Sequence, residues 1–299
     1  MTSAQSIQQP SFTSVWLKAT RPATLLAGVV PVIVGSALAA RDGVFEIGPA
    51  IACVLGAVLL QIGCNFANDL FDFLNGADNE DRIGPARMTV QGNVSTQKMA
   101  WATALSMVLA TLVGVYLVWV AGLVVVWIGV AGIAAGIFYT AGPRPLGYMG
   151  LGELLVFTFF GLAAVGGTYY VMADSISLGV LLMGGSMGSL ASAILVVNNL
   201  RDRHTDEKAG KRTLAVRMGE KFTRNEYIAL VGLAYLPPVY IAWTTAAHGA
   251  LLCWITVPLA IRVCLRFQQA DGAELNPFLG KTAKLETAFG LCFAAGVLL

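Results

Sequence analysis

Apolar positions in this 299-residue chain come in long blocks separated by short polar stretches, with no two-residue alternation. Nine blocks approach the roughly 20 mostly apolar residues needed to cross a bilayer core. They cover about 24–40, 47–67, 99–119, 122–140, 151–172, 176–198, 227–245, 249–267 and 282–299. In lipid, only helices and closed barrels satisfy every backbone polar group, and a barrel would alternate apolar and polar positions. The pattern therefore predicts an all-α membrane protein, a bundle of nine transmembrane helices. A polar N-terminal segment, 1–22, precedes one transmembrane domain over 23–299. That segment has no cleavage-type pattern, so the first apolar block is expected to remain as a span.

Composition agrees: 57% of residues are hydrophobic and 12% are charged, against about 25% charged in soluble domains. The net charge of +2 says little, but its placement says more. With nine spans, eighteen of the nineteen Lys and Arg fall on one side of the membrane: Lys18, Arg21, Arg82, Arg87, Lys98, Arg144, the eight from Arg201 to Arg224, Arg262, Arg266, Lys281 and Lys284. Only Arg41 falls opposite. Cytoplasmic loops of membrane proteins carry the excess of Lys and Arg, so the N-terminus and the long charged connections, 68–98 and 198–224, are expected in the cytoplasm, at a plasma or inner membrane. The five cysteines sit in apolar runs without CxxC or Cys/His spacing, which argues for packing residues over disulfides or zinc ligands. Nothing points to a nucleic-acid partner, and oligomeric state is not legible.

Chemistry concentrates at two polar clusters on that side. In the first, Asn65, Asn68, Asp69 and Asp72 fall at i, i+3, i+4 and i+7, on one face of a helix end, followed by Asp78, Glu80, Asp81 and Arg82. In the second, Asn198, Asp202 and Asp206 fall at i, i+4 and i+8, followed by Lys211 and Arg212. The pair reads as a weak internal repeat that aligns Asn68 with Asn198 and Asp72 with Asp202. Carboxylates at this spacing repel one another and are costly near a membrane, and a divalent cation offsets both penalties. All-oxygen clusters suit Mg²⁺, which binds through a few carboxylates, waters and substrate phosphates. Arg82, Arg87, Lys211 and Arg212 are placed to take remaining phosphate charge. The bland alternative is two solvated hydrophilic loops. Matched Asn/Asp spacing at the ends of the second and sixth spans argues against it.

The two clusters resemble the aspartate-rich motifs of the UbiA superfamily of intramembrane prenyltransferases. The likeness extends through Leu17–Pro22, from Asn68 and Asp69 through Asp81–Pro85, and through Tyr139–Pro143, Leu146–Glu153 and Gly166–Tyr170. The run from Gly76 to Pro85 is most similar to the branch of that family that prenylates 1,4-dihydroxy-2-naphthoate in menaquinone synthesis. The sequence departs from the general first motif at Gly76, where a third Asp is usual; Asp78 and Asp81 lie just beyond. The resemblance implies an isoprenyl diphosphate donor, an aromatic acceptor and Mg²⁺. It implies Asp72, Asp202 and Asp206 as metal ligands supported by Asn68 and Asn198, with Asp69, Asp78 and Asp81 as further candidates. Lys211, Arg212, Arg82 and Arg144 would bind phosphate, Tyr139 would face an allylic cation, and Arg21 or Arg144 would meet an acceptor carboxylate. Acceptors such as homogentisate or 4-hydroxybenzoate are alternatives within the class. Outside it, a secondary transporter would also carry internal repeats, with its acidic residues nearer the midplane.

Overall fold

The computed structural model describes residues 11–77, 83–85 and 87–299. The described residues form helices and connections, with no strand among them. In chain order the helices are α1 (Phe12–Thr20), α2 (Pro22–Arg41), α3 (Ile47–Leu74), α4 (Thr96–Ala121), α5 (Val124–Phe138), α6 (Gly152–Val156), α7 (Gly167–Ala173), α8 (Leu178–Arg201), α9 (Arg203–Lys208), α10 (Leu214–Leu233), α11 (Leu236–Thr245), α12 (Val257–Phe267) and α13 (Asn276–Gly296). A π-helical stretch, Phe157–Gly166, joins α6 to α7 in one continuous rod.

Seven helical segments among the described residues are long and apolar enough to cross a membrane: Pro22–Arg41, Ile47–Leu74, Thr96–Ala121, Gly152–Ala173, Leu178–Arg201, Leu214–Thr245 and His248–Phe267. The other two expected spans differ in character. α5 has 15 residues, and α13 has 21 but carries Lys281, Lys284 and Glu286. Three boundaries also move. α3 continues to Leu74, so the first polar cluster occupies the last turns of a helix. α10 starts at Leu214, inside the stretch expected as a connection, and breaks at Gly219, whose φ of 80° only glycine adopts cheaply. α13 starts at Asn276, which brings that side chain to the second cluster.

α8 is the centre of the bundle: 78% of its most apolar window is buried, against 17% for α4. It packs on the π-helical stretch, α10 and α13, and α13 packs in turn on α2. Close approach to the π stretch depends on small residues. A Cβ on Gly161 would collide with the backbone of Gly184 and Gly188, and one on Gly188 with the backbone of Phe157. This is how membrane helices pack where lipid supplies no hydrophobic drive. α4 and α5 cover α3 from outside and expose Trp101, Trp119 and Trp127.

Candidate active site

A cavity of about 750 Å³ opens between α2, α3, α5, the π stretch, α8 and α13. Its polar mouth is lined by Lys18, Arg21, Asn68, Asp72, Arg87, Asn198, Asp202 and Lys211. Deeper walls are formed by Gly132, Ala135, Leu155, Val156, Phe159, Phe160, Ile194 and Ala283. The site is thus a charged rim over an apolar chamber. Both acidic clusters contribute to the rim, as their helical spacing predicts.

On α3 the acids divide their work. Asp69 is buried, and its two oxygens accept the backbone N–H groups of Met88 (3.0 Å) and Thr89 (3.1 Å). It anchors the connection that carries Arg87. Asp72 is equally buried but faces the rim: Tyr148 donates its hydroxyl to Oδ1 at 2.9 Å, and Arg87 Nη2 lies 3.4 Å from Oδ2. The Asn68 carbonyl oxygen accepts the Thr140 hydroxyl (3.1 Å), and Asn75 donates to the Thr140 carbonyl (2.8 Å), so α3 is tied to the end of α5. Asn65 donates to the Thr20 carbonyl (2.9 Å) and to Thr24 Oγ1 (3.0 Å). Those bonds hold the α1–α2 junction, where Arg21 adopts a left-handed φ of 52° directly before Pro22. That conformation costs a non-glycine residue about 1 kcal/mol or more, and it sets Arg21 at the rim.

On the opposite side, Asp202 caps α8 and is gripped by the neighbouring Arg201 through Nε (2.8 Å) and Nη2 (2.6 Å). Arg201 is itself buried and reaches Asn276 Oδ1 of α13 at 3.0 Å. Asp206, on α9, is buried with Lys211 Nζ 3.6 Å from Oδ1, while its Oδ2 has no hydrogen-bond partner among the described residues. Burial first, and then the charges of Asp202 and Asp72, push its carboxyl up to about 6 against the pull of Lys211. Tyr148 closes the ring: its carbonyl accepts the Arg212 N–H (3.0 Å), and Lys211 Nζ lies 5.4 Å from its ring centre. Burial, followed by the Asp72 carboxylate, raises the Tyr148 hydroxyl far above its ordinary value and keeps it a donor.

Among the sequence candidates, Asn68, Asp69, Asp72, Tyr139, Asn198, Asp202, Lys211 and Arg21 line the one cavity, and Asp206 abuts it through Lys211. Arg144 and Arg212 stand apart from it. Both are exposed and neither lines the cavity. Arg144 sits exposed between Pro143 and Pro145, and Arg212 lines a surface groove with Glu207 and Arg217. Asp78, Asp81 and Arg82 lie outside the described residues. Sequence reasoning gave no role to Tyr148, Lys18 or Gln61, which also border the cavity or its acids. It also missed a buried pair behind the rim, where Asn199 donates to Glu153 at 2.7 Å. A polar residue within an apolar block was the available signal for Gln61 and Glu153.

The donor set is all oxygen, with one buried orphaned carboxylate oxygen on Asp206, which fits a hard divalent cation. Among the described residues, no three His, Cys, Asp or Glu side chains converge closely enough to hold an ion by themselves. A cation here would draw further ligands from water and from an anionic substrate, as Mg²⁺ commonly does.

A helical bundle with carboxylates from two sides bordering one apolar chamber suits an amphiphilic anionic substrate. Residues 28–283 match the UbiA prenyltransferase family, and the chain belongs to that family. It is 36% identical over 295 residues to the 1,4-dihydroxy-2-naphthoate octaprenyltransferase of Haemophilus influenzae, covering 95% of this chain and 96% of that protein. To the Escherichia coli protein of the same name it is 35% identical, covering 98% and 97%. Among solved structures, a UbiA homolog from Archaeoglobus fulgidus bound to GPP and Mg²⁺ superposes with a TM-score of 0.62 at 16% identity, covering 94% of this chain and 100% of that one. An apo UbiA homolog from Aeropyrum pernix K1 gives 0.66 at 16% identity, covering 91% and 96%.

Proposed function

We propose that the chain transfers a polyprenyl group from its diphosphate to 1,4-dihydroxy-2-naphthoate, yielding a demethylmenaquinone precursor, CO₂ and diphosphate. The carrying observation is the shared rim, where Asp72 of α3 and Asp202 of α8 border one cavity beside Lys211 and Arg87. The relatives that bear this activity in their names align over nearly the whole chain.

Asp72, Asp202 and Asp206 would hold Mg²⁺, with Asn68 and Asn198 beside them. Bound there, Mg²⁺ supplies Lewis acidity that stabilises charge on the leaving diphosphate. Lys211 and Arg87 take its outer oxygens. Tyr148 holds Asp72 in place by donating to it. Asp69 serves as a loop anchor, since both its oxygens are taken by backbone N–H groups. The allylic C1–O bond breaks with its electron pair on oxygen. A C–C bond then forms from C1 to the carboxylate-bearing ring carbon. The C–CO₂⁻ bond pair returns to the ring as CO₂ departs. Tyr139 faces the transient cation by cation–π attraction, Arg21 and Lys18 meet the acceptor carboxylate, and the apolar chamber excludes water.

The same reading takes α5 and α13 as the remaining two of nine spans and sets the rim in the cytoplasm of a cell inner membrane. Its support is the one-sided distribution of Lys and Arg. The test is to incubate purified protein with a polyprenyl diphosphate, Mg²⁺ and a panel of aromatic acids, and to identify products by mass spectrometry. Demethylmenaquinone from dihydroxynaphthoate, lost on EDTA treatment, is expected. Transport of ions or metabolites across liposomes without any prenylated product would overturn the proposal.

A further inference from the structure

Gln61 is a polar residue in the apolar middle of α3, eleven residues before Asp72 and so about 16 Å away along the axis at 1.5 Å per residue. It lines the cavity, and it makes no hydrogen bond to another described residue. One turn nearer the rim, the Asn65 amide is committed to Thr20 and Thr24, so Gln61 is the first uncommitted amide inside the chamber. A carboxamide offers two donors and an acceptor, and leaving them unmet at membrane depth is costly.

The cavity has two unlike walls. The α6 and π-stretch wall presents Phe159, Phe160, Leu155 and Val156, which suit an isoprenoid. The wall built from α1, the α1–α2 junction and α3 presents Lys18, Arg21, Asn65 and Gln61. An isoprenoid tail has no group that can pair with an amide, whereas a hydroxylated aromatic acid has several. We propose that Gln61 is a specificity-determining residue that hydrogen-bonds the ring hydroxyl of the acceptor remote from its carboxylate, while Arg21 and Lys18 engage the carboxylate itself. This inference rests on the prenyltransferase reading above. It assigns the α1–α3 wall to the acceptor and the wall of α6 and the π stretch to the donor tail.

The test compares dihydroxynaphthoate with 1-hydroxy-2-naphthoate, which lacks the second hydroxyl. Removing that hydroxyl also alters ring reactivity, so the analogue is used as a competitive inhibitor. In the wild type, the analogue's inhibition constant should exceed the KM for dihydroxynaphthoate by about tenfold or more, the size of one lost buried hydrogen bond. Gln61→Met and Gln61→Leu should raise the KM for dihydroxynaphthoate to near the analogue's constant. They should leave the analogue's constant and the KM for polyprenyl diphosphate unchanged, and that unchanged donor KM also reports an intact fold. The same discrimination in wild type and variants, or a rise in the donor KM, would overturn the assignment. A wild-type protein that makes no prenylated naphthoquinone would overturn the functional proposal instead.

Discussion

The two acidic clusters share an Asn/Asp pair four residues apart and differ in their surroundings. On α3, partners from distant parts of the chain hold the carboxylates: backbone N–H groups at Met88 and Thr89 for Asp69, and Tyr148 and Arg87 for Asp72. On α8 and α9 the partners are local, with Arg201 on Asp202 and Lys211 on Asp206. The first cluster is clamped by tertiary structure. The second keeps one oxygen of Asp206 unsatisfied and its carboxyl near pH 6. Similar spacing thus gives one carboxylate fixed by distant partners and one whose burial disfavours its charged form. A pseudo-repeat in sequence is not a repeat in chemistry.

The sharpest way to break this contrast is Asp72→Asn, expected to lower kcat by about 10²–10³-fold, the scale of losing a principal electrostatic contact to the leaving group. Lys211→Met should cost about 10²-fold, since it removes both a phosphate ligand and the cation that favours ionised Asp206. Asp206 also predicts opposite pH responses for binding and for folding. Mg²⁺-dependent donor binding should weaken as pH falls through about 6. The carboxyl is raised in the folded state, so its protonated form supports the apo fold. That support is complete below the ordinary value of 3.8 and lost as pH rises through about 6. Asp206→Asn should therefore raise the apo Tm at pH 7 while abolishing turnover. A lowered Tm would contradict this. Asp69→Asn should cost about 1–3 kcal/mol of stability and leave measurable activity, read by thermal melts beside the transfer assay. The smallest effects belong to Arg144→Ala and Arg212→Ala, within about twofold, as for other exposed side chains away from a site.

Much of this was legible in the chain. Helical class followed from the apolar blocks, and the shared face of Asn68 and Asp72 from spacing alone. Boundaries were not, because hydropathy marks where lipid ends and says nothing of where a helix ends. α3 runs on through its polar turns, and α10 starts among charged residues. α5 shows the opposite limit, since Pro143 and Pro145 end the apolar run while regular helix has already stopped at Phe138. At the site, the acids were visible and their partners were not. Tyr148 lies 76 residues from Asp72, and no periodicity connects them. Sequence shows the charge of Arg144 and Arg212 but not that both are exposed away from the cavity. The division of labour between Asp69 and Asp72, three residues apart, depends on which one meets the backbone at Met88 and Thr89.

The claim beneath all of this is that Asp72 and Asp206, from opposite sides of the cavity, act on one metal-bound diphosphate. A double-mutant cycle reads it directly: Mg²⁺-dependent Kd for a non-reactive isoprenyl thiodiphosphate in wild type, Asp72→Asn, Asp206→Asn and the double variant. Residues acting as a unit are non-additive, so the second substitution should add little to the loss from the first. Losses that multiply independently would contradict a shared site.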